Sequence, residues 1–355
     1  LHRLNQRYGK GVLPEVQLVK ISNQDGGVAL SSILKLFIKK AHDEKKQSIL
    51  LLNRRGFSPL LICDDCGWIA ECPHCSIRLN FHKQGHFVCH YCGFKAFNLK
   101  NCKECGSINL QKIGSGTQRI EEMIENEFRD FKVFRLDQDT SRKKGTIFNL
   151  LEQMNNGEVD ILVGTQMVAK GFNFQNVTVV GVMLADIGMN IPDFRASERV
   201  FALLMQVAGR SGRSDDKGKV IIQTFNEEYE IFAFLKNHDY EGFYMYELEN
   251  RKMLGYPPFQ RLARLLIRGE DESNVIKYIS DLAAIIKSII GNNKEISLLG
   301  PTSAPIGKIS NKFRHHILLK AKSQNILRDI IVKAKEKLEI KNVYLEIDID
   351  PMDII

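Results

Sequence analysis

Residues 161–171 read Ile161-Leu-Val-Gly-Thr165-Gln-Met-Val-Ala-Lys170-Gly171, an apolar run that ends in glycine and threonine and passes into a short helical segment. An uninterrupted apolar run of strand length is the mark of a strand buried on both faces, as in a parallel sheet. The pattern recurs outward from this point. Ser48-Ile-Leu-Leu-Leu-Asn53, Leu110–Ile113, Lys132–Leu136, Val159–Val163, Val177–Val182 and Lys219–Thr224 read as strands. Ser31–Ala41, Gly114-Ser-Gly-Thr117 through Phe128, Lys143–Asn155 and Phe194–Val207 carry helical spacing. Strands alternating with helices predict a parallel α/β sheet.

Beyond Leu254-Gly-Tyr-Pro-Pro-Phe259 the pattern changes. Phe259–Arg268, Ile296–Leu299, Phe313–Lys320 and Val343–Ile349 read as strands, with helices at Ser273–Ile290 and Ser323–Leu338. That order, βαββαβ, predicts a ferredoxin-like α+β unit and a separate C-terminal domain of about a hundred residues. Within it Lys308, Lys312, Arg314, His315, His316, Lys320 and Lys322 form a run without any acid. Such a run is a solvated strand face or a contact for phosphate, and Lys312 and Arg314 are the candidate DNA contacts.

All eight cysteines fall in Cys-x-x-Cys pairs: Cys63/Cys66, Cys72/Cys75, Cys89/Cys92 and Cys102/Cys105. One tight turn aims both sulfurs of a pair at one ion, and two turns complete a tetrahedron, so the count fits two zinc ions held by four thiolates each. Disulfides would need an oxidising compartment that nothing else in the chain supports, and a redox site would need one pair rather than four. Spacing leaves two pairings open. In a nested scheme the outer pairs share one ion and the inner pairs the other; in a cross-braced scheme the first pair joins the third and the second the fourth. Trp68, Phe81, Phe87 and Tyr91, with Arg78 and Lys83, are a stacking surface for bases or the small core of the metal module.

The 355 residues carry a net charge of +8 and a pI near 8.9, a balance that suits anionic partners such as nucleic acid. The longest strongly apolar run, Val177–Ala185, is too short to cross a bilayer, so no membrane partner and a cytoplasmic location are expected. Gln206-Val-Ala-Gly-Arg210-Ser-Gly-Arg213 sets two forked guanidinium groups beside glycines. There they suit phosphate recognition, or else form a flexible basic loop.

The 161–171 stretch and the Gln206–Arg213 run resemble motifs V and VI of superfamily 2 helicases, in order and spacing. With Asn53-Arg-Arg-Gly-Phe57, the eight-cysteine insert, Asp193-Phe-Arg-Ala-Ser-Glu-Arg199 and Tyr256-Pro-Pro-Phe259, the resemblance narrows to the bacterial replication-restart helicases and covers nearly the whole chain. It implies an ATP-driven, 3′-to-5′ DNA helicase that acts at stalled forks, with a RecA-like lobe interrupted by the zinc module. By the same resemblance Arg210 and Arg213 face the ATP γ-phosphate with Gln206 in support. Thr165, Gln166, Lys170, Gly171 and Arg54 contact DNA. Two structural zincs follow the nested pairing: Cys63, Cys66, Cys102 and Cys105 hold one, and Cys72, Cys75, Cys89 and Cys92 the other. Expected partners are forked or single-stranded DNA, single-strand-binding protein and primosome proteins, for a monomer working at the nucleoid.

The chain contains no Gly-x-x-x-x-Gly-Lys-Ser/Thr phosphate loop and no Asp-Glu-x-His run, the elements that hold ATP and Mg²⁺. The expectation is therefore a C-terminal half that does not hydrolyse ATP alone. Its expected divisions are a connection at 1–30, a lobe at 31–62 and 108–258, a zinc insert at 63–107 and a C-terminal domain at 259–355. The competing readings are a non-enzymatic zinc scaffold for nucleic acid or primosome proteins, and another superfamily 2 translocase.

Overall fold

The structure is a computed structural model that describes residues 13–21, 30–53, 60–63, 65–66, 68, 70–74, 79–82, 86–89, 92–97, 99–113, 116–141, 145–169, 172, 174–191, 193–211 and 218–354. The chain divides into two compact units. One comprises Leu1–Ser58, Gly114–Ile191 and Arg195–Tyr244; the other comprises Pro59–Ile113, Pro192–Phe194 and Met245–Ile355.

The first unit is built on a six-stranded sheet in the order Glu15–Lys20, Lys219–Thr224, Val177–Met183, Gln47–Leu52, Ile161–Gly164, Val133–Leu136. Every neighbouring pair in it is parallel. Every residue of Gln47–Leu52 and of Val177–Met183 is buried, because alternate side chains feed two separate cores. Ile49, Leu51, Leu162, Val180 and Ile222 join Phe201 and Leu204 on one face. Leu50, Leu52, Ile161, Val163 and Ile221 join Leu34, Ile38 and Ile124 on the other. Leu34 and Ile38 come from the helix Ser32–Asp43, whose first turn is capped by the Ser31 hydroxyl accepting from the Leu34 amide at 3.2 Å. That helix lies so close that a Cβ on Gly181 would meet Leu50 Cδ2 at 2.5 Å and Leu34 Cδ1 at 2.9 Å.

Three features depart from the sequence reading. Glu15–Lys20, in the stretch read as a connection, is an edge strand in register with Lys219–Thr224, Val16 opposite Val220. Leu110–Ile113 is a strand, but outside the parallel sheet: it pairs antiparallel with Leu60–Cys63 in a two-stranded ribbon, Leu110 opposite Cys63. Helices at Ile231–Lys236 and Tyr240–Leu254 went unread, the second because Phe243 is its one buried residue.

In the second unit the strands run Ser297–Ile309, Lys312–Ala321, Arg261–Gly269, Val343–Ile349, all antiparallel. With the helices Glu272–Ile290 and Gln324–Lys337 this is the βαββαβ arrangement. Asp271 and Ser323 cap the helices by accepting from the Asn274 and Ile326 amides, and both pack on the face bearing Ala263, Leu265, Ile267, Ile317 and Leu319. The first hairpin strand is 13 residues rather than the four expected. Pro301 and Pro305 hide it in the sequence, yet an edge strand tolerates prolines. Phe194 stacks on Tyr256 at 4.8 Å and packs with Leu262, Leu318 and Ile354.

Part of the basic run is not a solvated face. Lys320 is 5% exposed; its Nζ donates to the Leu254 carbonyl at 2.8 Å and sits 3.6 Å from the Tyr256 ring centroid. His316 is 7% exposed, and burial, followed by the nearby positive charges of Arg264, Arg314 and His315, lowers its pKa from 6.5 to about 4. A histidine held neutral by the fold contributes stability that is complete above pH 6.5 and is lost as the pH falls toward 4, since the unfolded chain takes up the proton first. Urea unfolding of His316→Gln should therefore show a flatter loss of stability than the unsubstituted protein between pH 6.5 and 4. Equal slopes would contradict this.

Candidate functional site

The Ile161–Gly164 strand delivers Thr165 to the carboxyl end of the parallel sheet, where α/β folds bind ligands. The turn there requires glycine: a Cβ on Gly164 would meet Val168 Cγ1 at 2.4 Å and the Leu136 carbonyl oxygen at 2.6 Å. Thr165 and Gln166 are half-buried, and the Thr165 carbonyl accepts from the Val168 amide at 3.0 Å to open the helical turn Gln166–Ala169. Asn53, at the end of the neighbouring strand, is buried and donates from Nδ2 to the Ala185 carbonyl at 2.7 Å. Lys170, Gly171 and Arg54 lie outside the described residues.

The helix Ala196–Ala208 carries Gln206 exposed in its last turn. Past its end, the Arg210 amide donates to the Val207 carbonyl at 2.9 Å, and the Ser211 hydroxyl, fully buried, donates to the Ala208 carbonyl at 3.2 Å. Arg210 is half-buried, and its Nη1 donates to the backbone carbonyl of Phe172. A guanidinium carries five N–H donors in a planar fork, so this bond fixes the direction of the group. The structure thus joins Arg210 to the segment that continues from Thr165 and Gln166. Arg213 lies outside the described residues. Phe172 escaped the sequence reading because a carbonyl acceptor is independent of residue type.

The cysteines of the second unit form two clusters. The sulfurs of Cys63, Cys66, Cys102 and Cys105 all lie within 4.8 Å of one another, as do those of Cys72, Cys89 and Cys92; Cys75 lies outside the described residues. Cys63 and Cys105 sulfurs are 3.6 Å apart, Cys66 and Cys102 3.5 Å, and Cys72 and Cys92 3.6 Å. These separations are far beyond a disulfide bond. They are close to the ~3.8 Å edge of a tetrahedron of thiolates about 2.3 Å from zinc.

The turns are built alike. The Cys63, Cys89 and Cys102 amides donate to the carbonyls of Trp68, Phe94 and Ser107, five residues on. Gly93 and Gly106 take positive φ, +76° and +74°, as each turn closes. Amides also aim at sulfur, from His74 to Cys72 at 3.4 Å and from Glu104 to Cys102 at 3.4 Å. Burial, outweighing the His74 amide, pushes the Cys72 thiol up to about 12. At Cys102 burial is outweighed by the Cys105 and Glu104 amides, which bring it down to about 7. The convergence of the sulfurs in both clusters suggests zinc binding. Phe87 is buried and Trp68 half-buried in the core of this module, so these two aromatics are packing residues.

In the C-terminal sheet, Arg268 stands opposite Arg314 on one side and Tyr344 on the other, which sets the three in one row on the face without helices. Tyr344 is 56% exposed, with Lys312 Nζ 4.4 Å from its ring centroid. Arg268 pairs with Glu346 at 2.5 Å, and Arg314 Nη1 donates to the Ile306 carbonyl at 3.0 Å.

Three family models match this chain: the helicase conserved C-terminal domain over residues 108–215, the PriA DNA helicase Cys-rich region domain over 72–96, and the primosomal protein N C-terminal domain over 252–352. Replication restart protein PriA of Bacillus subtilis is 37% identical over 99% of this chain and 44% of its own length. The Synechocystis protein is 38% identical over 99% and 43%, and that of Borreliella burgdorferi 34% over 99% and 53%. The chain spans about half the length of these relatives. Across nearly all of its residues, the chain is similar to the replication restart protein PriA.

Proposed function

We propose that the chain is the second motor lobe, zinc module and C-terminal domain of an ATP-driven DNA helicase of replication restart, moving 3′ to 5′ and acting at stalled forks. What carries this reading is that a chain so similar to replication restart proteins also seats Arg210 against the segment leading from Thr165. Arg210 and Arg213 would face the γ-phosphate and neutralise charge that develops on it, with Gln206 in support. Thr165, Gln166 and Lys170 would hold a DNA phosphate, Gly171 would allow its close approach, and Arg54 would add a further contact. The Phe172 carbonyl makes nucleotide response and DNA grip parts of one hydrogen-bonded unit. The phosphate loop and Mg²⁺ carboxylate would come from a first lobe, since this sequence contains neither.

By this assignment 31–62 and 108–258 form the lobe, with Glu15–Lys20 added to it from the 1–30 connection; 63–107 is the zinc insert and 259–355 the C-terminal domain. The described residues include no helix long and apolar enough to cross a membrane. Forked or single-stranded DNA, single-strand-binding protein and primosome proteins are the proposed partners of a monomer at the nucleoid.

In a polypeptide that includes the first lobe, Arg210→Ala should lower DNA-stimulated ATP hydrolysis by about a thousand-fold while leaving DNA binding in place. Hydrolysis unchanged by both Arg210→Ala and Arg213→Ala would instead favour the scaffold reading. Elemental analysis should return two zincs per chain, one for each cysteine cluster. It should return about one after either Cys102→Ser or Cys89→Ser; an unsubstituted chain holding fewer than two would contradict the assignment. For the C-terminal sheet, Lys312→Ala with Arg314→Ala should weaken DNA binding and reduce its salt slope by roughly one per lost phosphate contact. An unaltered slope would remove these residues from the interface.

A further inference from the structure

The hairpin formed by Ser297–Ile309 and Lys312–Ala321 turns on Ser310 and Asn311, both left-handed, with φ of 49° and 63°. Its tip is docked. The Asn311 amide donates to the His74 carbonyl at 2.6 Å, and Asn311 Oδ1 lies 2.9 Å from His74 Nδ1, a hydrogen bond when Nδ1 carries the ring proton. Ile309, just before the turn, packs against the core of the cysteine module.

His74 stands inside Cys72-Pro-His-Cys75. Its own amide points at Cys72 Sγ, 3.4 Å away, and its ring meets Phe94 edge-on at 5.0 Å. One residue therefore touches a candidate metal-ligand sulfur through its amide and the hairpin through its carbonyl and ring. The tip carries Lys308 and Lys312, held over Phe313 and Tyr344 at 4.7 and 4.4 Å. Ordinary packing of two neighbouring modules would leave the tip indifferent to which cysteine cluster holds metal. A contact made by the metal turn itself would not.

We propose that the inner cysteine turn is the docking site of the C-terminal hairpin, so that metal at Cys72, Cys89 and Cys92 holds Lys308 and Lys312 in place through His74 and Asn311. This builds on the zinc reading of the clusters. A bound ion orders the turn between its ligands, and the His74 carbonyl can accept from Asn311 only while that turn keeps its shape. Linkage is reciprocal: if metal favours docking, docking slows metal loss.

The test is amide hydrogen exchange across residues 303–314 of the whole zinc-loaded chain, with zinc content measured alongside. Cys89→Ser, which removes the inner site, should speed exchange of the tip by about ten-fold; Cys63→Ser, which removes the outer site, should leave it unchanged. Asn311→Gly keeps a residue suited to the left-handed turn. It should speed tip exchange with both zincs retained and hasten release of one of them to a colorimetric chelator. A tip whose exchange ignores both Cys89→Ser and Asn311→Gly overturns the coupling. Equal acceleration by Cys63→Ser and Cys89→Ser overturns its assignment to the inner turn. A native chain holding no zinc overturns the metal reading beneath it.

Discussion

A parallel sheet buried on both faces has no free surface for chemistry, and that constraint governs the first unit. Ile49 and Leu51 face one core while Leu50 and Leu52 face the other, so only the loops at the strand ends meet solvent. Thr165 and Gln166 stand at one such end, and Arg210 reaches the same region from the end of the Ala196–Ala208 helix. The link between them is a hydrogen bond to a backbone carbonyl, that of Phe172, which substitution of Phe172 cannot delete. In the proposed function, grip on one ligand and response to another share this strut.

The second unit uses a different device. Its cysteine module has a small apolar core, in which Leu61, Ala70, Leu79 and Phe87 are joined by Cys72 and Cys89. Thiolates around a cation would supply what a small core lacks. The same turns present backbone groups outward: the His74 carbonyl, inside the inner cysteine turn, accepts from the Asn311 amide of the C-terminal hairpin.

Legibility followed the physics of burial. Val177–Met183 and Gln47–Leu52 announce themselves because every residue is apolar or buried. Glu15–Lys20 and Ser297–Ile309 do not, since edge strands mix polar residues and prolines with apolar ones. Leu110–Ile113 was recognisable as a strand, but its partner was not, because pairing depends on the cysteine ribbon that brings Leu60–Cys63 alongside. The cysteine spacing pointed to metal and left the pairing open; the outer and inner groupings emerge only where the sulfurs converge. In the basic run, residue type could not separate exposed Lys322 and half-buried Lys312 from buried His316 and Lys320, since Lys312, His316 and Lys320 share one face of the strand and only what covers it, such as Tyr256 and the Leu254 carbonyl at Lys320, decides which is which.

The central claim is that the Arg210 guanidinium, aimed by the Phe172 carbonyl, is a phosphate ligand of a nucleotide held by a second lobe. The most direct measurement is an experimental structure of the polypeptide that carries both lobes, with a non-hydrolysable ATP analogue and single-stranded DNA bound. The account requires Arg210 within hydrogen-bond distance of the γ-phosphate while Thr165 or Gln166 contacts a DNA phosphate. An Arg210 side chain directed away from the nucleotide in that complex would contradict it.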